Sequence, residues 1–212
     1  MAKNENKEER NEELIEAMLV AIGENITREG LKDTPKRVVK MWKEIFRGYD
    51  ETQKPKVTTF KNGHDNIKIN EMITDEGDFY SHCEHHMVPF FGKYYFGYVA
   101  HPNGKVLGLS KVARIVDYFS AKLQIQERLV SDIVEYLWNE LTIPETKVVL
   151  EDGRTIILDK IEPLGMALVM EGEHLCKTMR GAKKKGKMRT TELRGVMKEN
   201  PATRAEFMGW VR

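Results

Sequence analysis

Cysteine is scarce in this chain: two among 212 residues. A pair allows one disulfide at most, which excludes a disulfide-stapled scaffold, and no four-cysteine zinc cluster can be built from it. Long apolar runs are missing as well, since no stretch approaches the ~20 residues that span a bilayer. The amino terminus, MAKNENKEERNEE, is too charged for a secretory signal. A cytoplasmic protein with no membrane partner and reduced thiols is the expectation. Neither sign of charge dominates: 34 Lys and Arg against 33 Asp and Glu leave a formal +1. That balance implies no general attraction to nucleic acid. Three catalytic signatures are also absent, namely the Walker loop, the H-E-x-x-H of metalloproteases and the P-C-x-x-C of nucleobase deaminases. His82-Cys83-Glu84 imitates only the other half of the deaminase signature.

What the chain does have is a dense cluster, Ser81-His82-Cys83-Glu84-His85-His86-Met87-Val88-Pro89, holding three of its six histidines. The second cysteine, Cys176, also follows a histidine, His174, by two residues. Cys83 and His86 have the C-x-x-H spacing with which one turn brings a thiolate and an imidazole onto one metal ion. Cys176 is the obvious third ligand. A Cys2His set without a fourth side chain is the pattern of a catalytic zinc that keeps one position for water. The plainer readings are a single disulfide or inert buried thiols with satisfied histidines beside them, and a reducing compartment weakens the first of these.

Along the chain, residues 1 to 12 are polar and expected to fray. Leu14, Ile15, Met18, Leu19 and Ile22 then recur at helical spacing up to Gly23. A second helix, with Thr34 as cap and Pro35 in its first turn, carries Val38, Trp42, Ile45 and Phe46. Residues 1 to 50 therefore form a helical arm, and residues 51 to 212 the remaining domain. Ile67, Ile69 and Met72 alternate with polar residues, as do Tyr94, Phe96, Tyr98 and Ala100, which predicts antiparallel strands with one wet face. Ser110 opens a helix with Val112, Ile115, Val116 and Phe119, and a longer helix follows from Gln126. Two consecutive helices between sheet segments predict an α+β fold. Asp152-Gly153 marks a hairpin, Met166 to Met170 a buried strand, and Asn200-Pro201 the start of a last helix burying Phe207 and Trp210.

Candidate substrate contacts are cationic. Gly108-Leu109-Ser110-Lys111 runs from strand to helix, where free N–H groups favour an anion, and Arg114 lies one turn on. An ordinary solvated helix start explains the same residues. Arg180, four residues after Cys176, puts a further cation beside the thiols, and together these groups would suit a polyphosphate. Glu127 could accept two N–H donors from a guanine edge, or could simply answer the helix dipole. Lys183-Lys184-Lys185-Gly186-Lys187 lacks interleaved aromatics and reads as a hydrated hairpin tip.

Taken together, the segments Arg28-Glu29-Gly30-Leu31, Asp33-Thr34-Pro35-Lys36-Arg37, Cys83-Glu84-His85-His86, Gly108-Leu109-Ser110-Lys111, Gln124-Ile125-Gln126-Glu127-Arg128-Leu129 and His174-Leu175-Cys176 with Met179-Arg180-Gly181 closely resemble GTP cyclohydrolase I. The likeness covers residues from about 25 to the carboxyl terminus. It implies a tunnelling fold (T-fold): antiparallel sheets with paired helices joined into an oligomeric barrel, a homodecamer of two pentamers with active sites between subunits. It also implies GTP as substrate, Zn2+ held by Cys83, His86 and Cys176, and proton transfer by His85 and His174. By the same likeness Glu127 anchors guanine, helped by Gln126 and the backbone around Leu109. Ser110, Lys111, Arg114 and Arg180 would hold the ribose triphosphate, and Arg37 and Lys40 would reach a neighbour's triphosphate. The implied reaction is hydrolysis at C8 of guanine, with loss of formate and formation of 7,8-dihydroneopterin triphosphate.

Two features depart from that pattern: extra sequence between Leu141 and Gly165, and the lysine run at 183 to 187. The rival readings are a nitrile reductase of deazaguanine synthesis on the same fold, against which the C-E-H-H cluster speaks, and a non-catalytic nucleotide-binding or regulatory protein.

Overall fold

A computed structural model describes residues 2–108, 110–149 and 154–211. The polar start does not fray: α1 (Ala2–Ala21) runs unbroken from Ala2, and Glu8 on it pairs with Lys43 of α2 (Thr34–Ile45). The two helices bury Ile15, Leu19 and Val39 between them and leave Leu14, Met18 and Ile22 exposed. Asp33, one residue earlier than expected, occupies the N-cap of α2, with Pro35 in the first turn.

A short strand, β1 (Thr59–Lys61), comes next. The alternation at Ile67 and Ile69 does not make a strand, because the Asn62 side chain takes both backbone groups of Ile69, at 2.9 and 2.8 Å, in place of a neighbouring strand. Regular sheet starts only with β2 (Met72–Cys83), followed by β3 (Pro89–Val99) and β4 (Lys105–Leu107), which pairs with β1. The two predicted helices follow as α3 (Lys111–Ser120) and α4 (Gln126–Leu141), separated by the two-residue β5 (Leu123–Gln124).

The extra sequence folds as an antiparallel pair, β6 (Thr146–Val149) and β7 (Thr155–Leu158), whose Asp152-Gly153 turn lies outside the described residues. The chain then returns through β8 (Gly165–His174), the single turn α5 (Leu175–Thr178) and β9 (Lys187–Gly195), and ends with α6 (Val196–Glu199) and α7 (Pro201–Met208).

The main sheet has the order β5-β2-β3-β8-β9, antiparallel except for the parallel β2–β5 contact. The architecture is therefore α+β. One face carries Phe79, Phe90, Tyr94, Phe96, Met166, Leu168 and Met170, packed against Ile115 and Val116 of α3 and Leu129, Ile133 and Leu137 of α4. The prediction of one wet face fails for β3: Tyr95 on the opposite face is buried with Val169, Met197 and Phe207, because α6 and α7 cover that end. Gly97 makes this closure possible, since a Cβ there would lie 2.7 Å from the Phe207 ring. Trp210, expected to be buried, falls beyond α7 and is 59% exposed. Farther along the opposite face Glu171 is buried and accepts from Arg189 Nε at 2.7 Å and Lys187 Nζ at 3.4 Å.

Candidate active site

The cysteine–histidine cluster lies where β2 turns into β3. After Cys83 the chain folds back on itself: His86 N and Met87 N donate to the Cys83 carbonyl at 3.4 and 2.8 Å, and Met87 takes a left-handed φ of 57°. One helical turn thus carries His86 back over Cys83, which is what the C-x-x-H spacing predicts. The second thiol arrives by strand register. His174 at the end of β8 pairs with Phe90 near the start of β3, and Ser81 of β2 pairs with the same Phe90. The carboxyl ends of β2 and β8 therefore lie at the same end of the sheet, either side of β3, and the α5 turn sets Cys176 beside Cys83. The candidate ligand atoms of Cys83, His86 and Cys176 all lie within 4.8 Å of one another.

Two sulfurs and one imidazole nitrogen form a soft donor set that suits zinc. The thiols share no disulfide. Burial pushes the Cys176 thiol up, and the adjacent Cys83 sulfur adds to the effect while Arg180 offsets part of it. A divalent cation is the group that would reverse this cost by stabilising both thiolates.

Around the cluster stand the predicted proton-transfer residues. His85 Nδ1 lies 3.8 Å from Cys83 Sγ. The His174 ring stacks on Phe90 with centroids 4.5 Å apart and planes 6° apart, and its Nε2 meets Gln126 Oε1 at 2.9 Å. Burial holds His174 below the usual histidine range, with the Glu127 carboxylate opposing and Lys177 reinforcing the shift. Glu127 is exposed in the first turn of α4 and close enough to act on His174 through its charge. Arg180 Nη1 reaches His86 Nε2 at 2.6 Å.

Gln126 is placed differently from Glu127. It is fully buried, and its amide uses its hydrogen bonds inside the chain, on Met170 O, Met188 O, Thr190 Oγ1 and His174. A guanine contact at this position would have to come from the backbone. Two residues to which the sequence reading gave no role also stand at the cluster: Phe90, an apolar strand residue among many, and Arg128, which lies in the matched segment Gln124–Leu129, pairs with Glu84 of the turn and donates to Gln124 Oε1 at 2.9 Å.

The remaining predicted contacts are not brought to the cluster within one chain. Leu109 lies outside the described residues. Ser110 and Lys111 begin α3 at the end farthest from β5, about 15 Å along the helix axis. Leu107, just before them, donates to the hydroxyl of Tyr98, about 26 Å along β3 from Phe90. Arg114 sits one turn into the same helix. Arg37 and Lys40 are exposed on α2, with Arg37 paired to Asp33 at 3.4 Å. A concavity of ≈ 460 Å³, lined by Thr74, Glu76, Tyr95, Phe207 and Trp210 among others, lies away from the cysteines.

Known proteins resemble this chain over nearly its whole length. The family model described as GTP cyclohydrolase I matches residues 11–155 and 154–212, and the break between the two matches falls at the β6–β7 pair. A GTP cyclohydrolase 1 of Sinorhizobium fredii is 42% identical over 95% of this chain and 87% of that protein. The Streptomyces griseus protein of the same name is 40% identical over 96% and 90%, and that of Wolinella succinogenes 39% over 98% and 99%. Among solved structures, an archaeosine synthase QueF-Like in the apo form aligns with 60% of this chain and 97% of its own, at 11% identity and a TM-score of 0.43, too slight a likeness to bear on function. With its cysteine–histidine cluster assembled and its sequence matched from residue 11 to the carboxyl terminus, the chain belongs to the GTP cyclohydrolase I family of enzymes.

Proposed function

We propose that the protein is a zinc-dependent GTP cyclohydrolase that opens the guanine ring at C8, releases formate and forms 7,8-dihydroneopterin triphosphate. The observation that carries this reading is the convergence of Cys83, His86 and Cys176, with His85, His174 and Glu127 beside them, in a member of this family.

Cys83, His86 and Cys176 would hold the ion. When bound, it supplies a Lewis acid that makes water nucleophilic near neutral pH. Glu127 accepts two N–H groups of the guanine edge and so aligns C8 with the cluster. Burial keeps His174 toward its neutral form, which suits it to accept a proton, and His85 donates to N7. Arg180, four residues after Cys176 on the same turn of chain, meets the first phosphates of the substrate.

Ser110, Lys111 and Arg114 complete a triphosphate site only if a neighbouring subunit supplies them, because within one chain they lie at the far end of α3. This supports a T-fold barrel, a decamer of two pentamers with sites between subunits. In it residues 51–212 form the catalytic domain, residues 1–50 the arm, and Arg37 and Lys40 reach across. The reduced thiols the site needs fit a cytoplasmic location.

Zinc-loaded protein incubated with GTP tests the reading. Formate should appear together with the fluorescence of the oxidised pterin, and chelated protein should produce neither. Formate release that survives complete removal of the metal would overturn the zinc role, and unaltered GTP would overturn the activity.

A further inference from the structure

We propose that Gln126 is a positioning residue that fixes the tautomer of His174, so that Nδ1 is the nitrogen that exchanges a proton with the substrate. The role of His174 rests on the function proposed above; the tautomer stands on hydrogen-bond geometry alone.

The Gln126 amide has one possible orientation. Its nitrogen end lies 2.9 Å from Met170 O and 3.0 Å from both Met188 O and Thr190 Oγ1. Two of these partners are carbonyl oxygens, which only accept, so the NH2 group must face them. Turning the amide over would set Oε1 against both carbonyls in a fully buried site. The atom 2.9 Å from His174 Nε2 is therefore Oε1, which cannot donate. Nε2 must carry the proton.

A neutral imidazole has one N–H and one lone pair, and the lone pair is then on Nδ1. The ring is also held against rotation, because Phe90 stacks on its face at 4.5 Å and 6°. Gly172 is part of the device: a Cβ at that position would come within 2.4 Å of Gln126 Oε1 and push the amide off the imidazole.

An amide suits this task better than a carboxylate. It accepts from Nε2–H whether the ring is neutral or has taken a second proton, so it fixes orientation without trapping the charge. His174 can then take a proton from the substrate on Nδ1, hold it as imidazolium and return it, with the Gln126 contact unbroken throughout.

The test uses the zinc-loaded full chain labelled with 15N-histidine, with His174→Gln identifying the signal of His174. The unmutated protein should show the proton on Nε2. Gln126→Met should populate both tautomers and lower kcat for formate release about tenfold or more, with zinc content unchanged and KM for GTP within about twofold. A proton on Nδ1 in the unmutated protein overturns the proposal, and so does a Gln126→Met protein that keeps the original tautomer. Should Gln126→Met not fold, the spectrum of the unmutated protein decides alone. Failure of that protein to release formate would overturn the cyclohydrolase reading instead, and the tautomer would still be measured.

Discussion

Arg180 Nη1 lies 2.6 Å from His86 Nε2, and a guanidinium has only donors, so Nε2 is the acceptor. A metal on Nε2 would take the same lone pair. A metal on Nδ1 would leave the proton on Nε2, where it would face another donor. Metal ligation by His86 and this hydrogen bond therefore exclude each other.

Arg180→Met should accordingly tighten metal binding by about fivefold, the factor that corresponds to ~1 kcal/mol for one hydrogen bond. Competition against a chromophoric chelator measures it. Unchanged or weaker binding would mean that the guanidinium props the imidazole for the metal instead.

Cys176→Ser should abolish metal retention, because two remaining protein ligands hold zinc poorly. Elemental analysis after gel filtration reads the loss. Cys176 is only half-buried and sits on a one-turn helix, so the fold should survive the change.

His85→Ala should keep its metal and lose turnover by about 10²–10⁴-fold, the usual share of one acid–base group. Full turnover in this variant would remove His85 from the chemistry.

Glu127→Ala should reduce the preference for GTP over ATP by about 10–100-fold, as expected for losing charged hydrogen bonds to the guanine edge. The measurement is kcat/KM for each nucleotide. An unmutated protein indifferent to the base would already contradict the role.

Glu171 predicts an acid transition away from the site. Burial alone would raise its carboxyl, but hydrogen bonds and charge from Arg189 and Lys187 outweigh it and hold the group below the usual glutamate range. A depressed folded pKa contributes stability above the unfolded value of 4.5 that is lost as pH falls through the folded one. Arg189→Met should cost about 1–3 kcal/mol at pH 7, and the difference should shrink as pH falls from 4.5 through the depressed folded value. Thermal midpoints across that range check it.

Much of this was legible in sequence because it rests on local rules. The C-x-x-H spacing placed Cys83 and His86 on one turn, since the turn is five residues long and its hydrogen bonds close on Cys83 itself. The stripes of α3 and α4 and the apolar run of β8 are likewise local patterns of burial. Two of the expectations that failed did so because a group outside the periodic stretch intervenes: Asn62 replaces a strand beside Ile69, and α6 and α7 dry the second face of β3.

Ligand chemistry and helix periodicity are properties of neighbours along the chain, and the amino-acid order by itself determined them. Which strands lie side by side is decided by burying two faces of one sheet, and only that brought Cys176 to Cys83, His174 to Phe90 and Gln126 to His174. The same packing sets Lys111 at the end of α3 farthest from β5, so that the length of this helix stands between it and that strand.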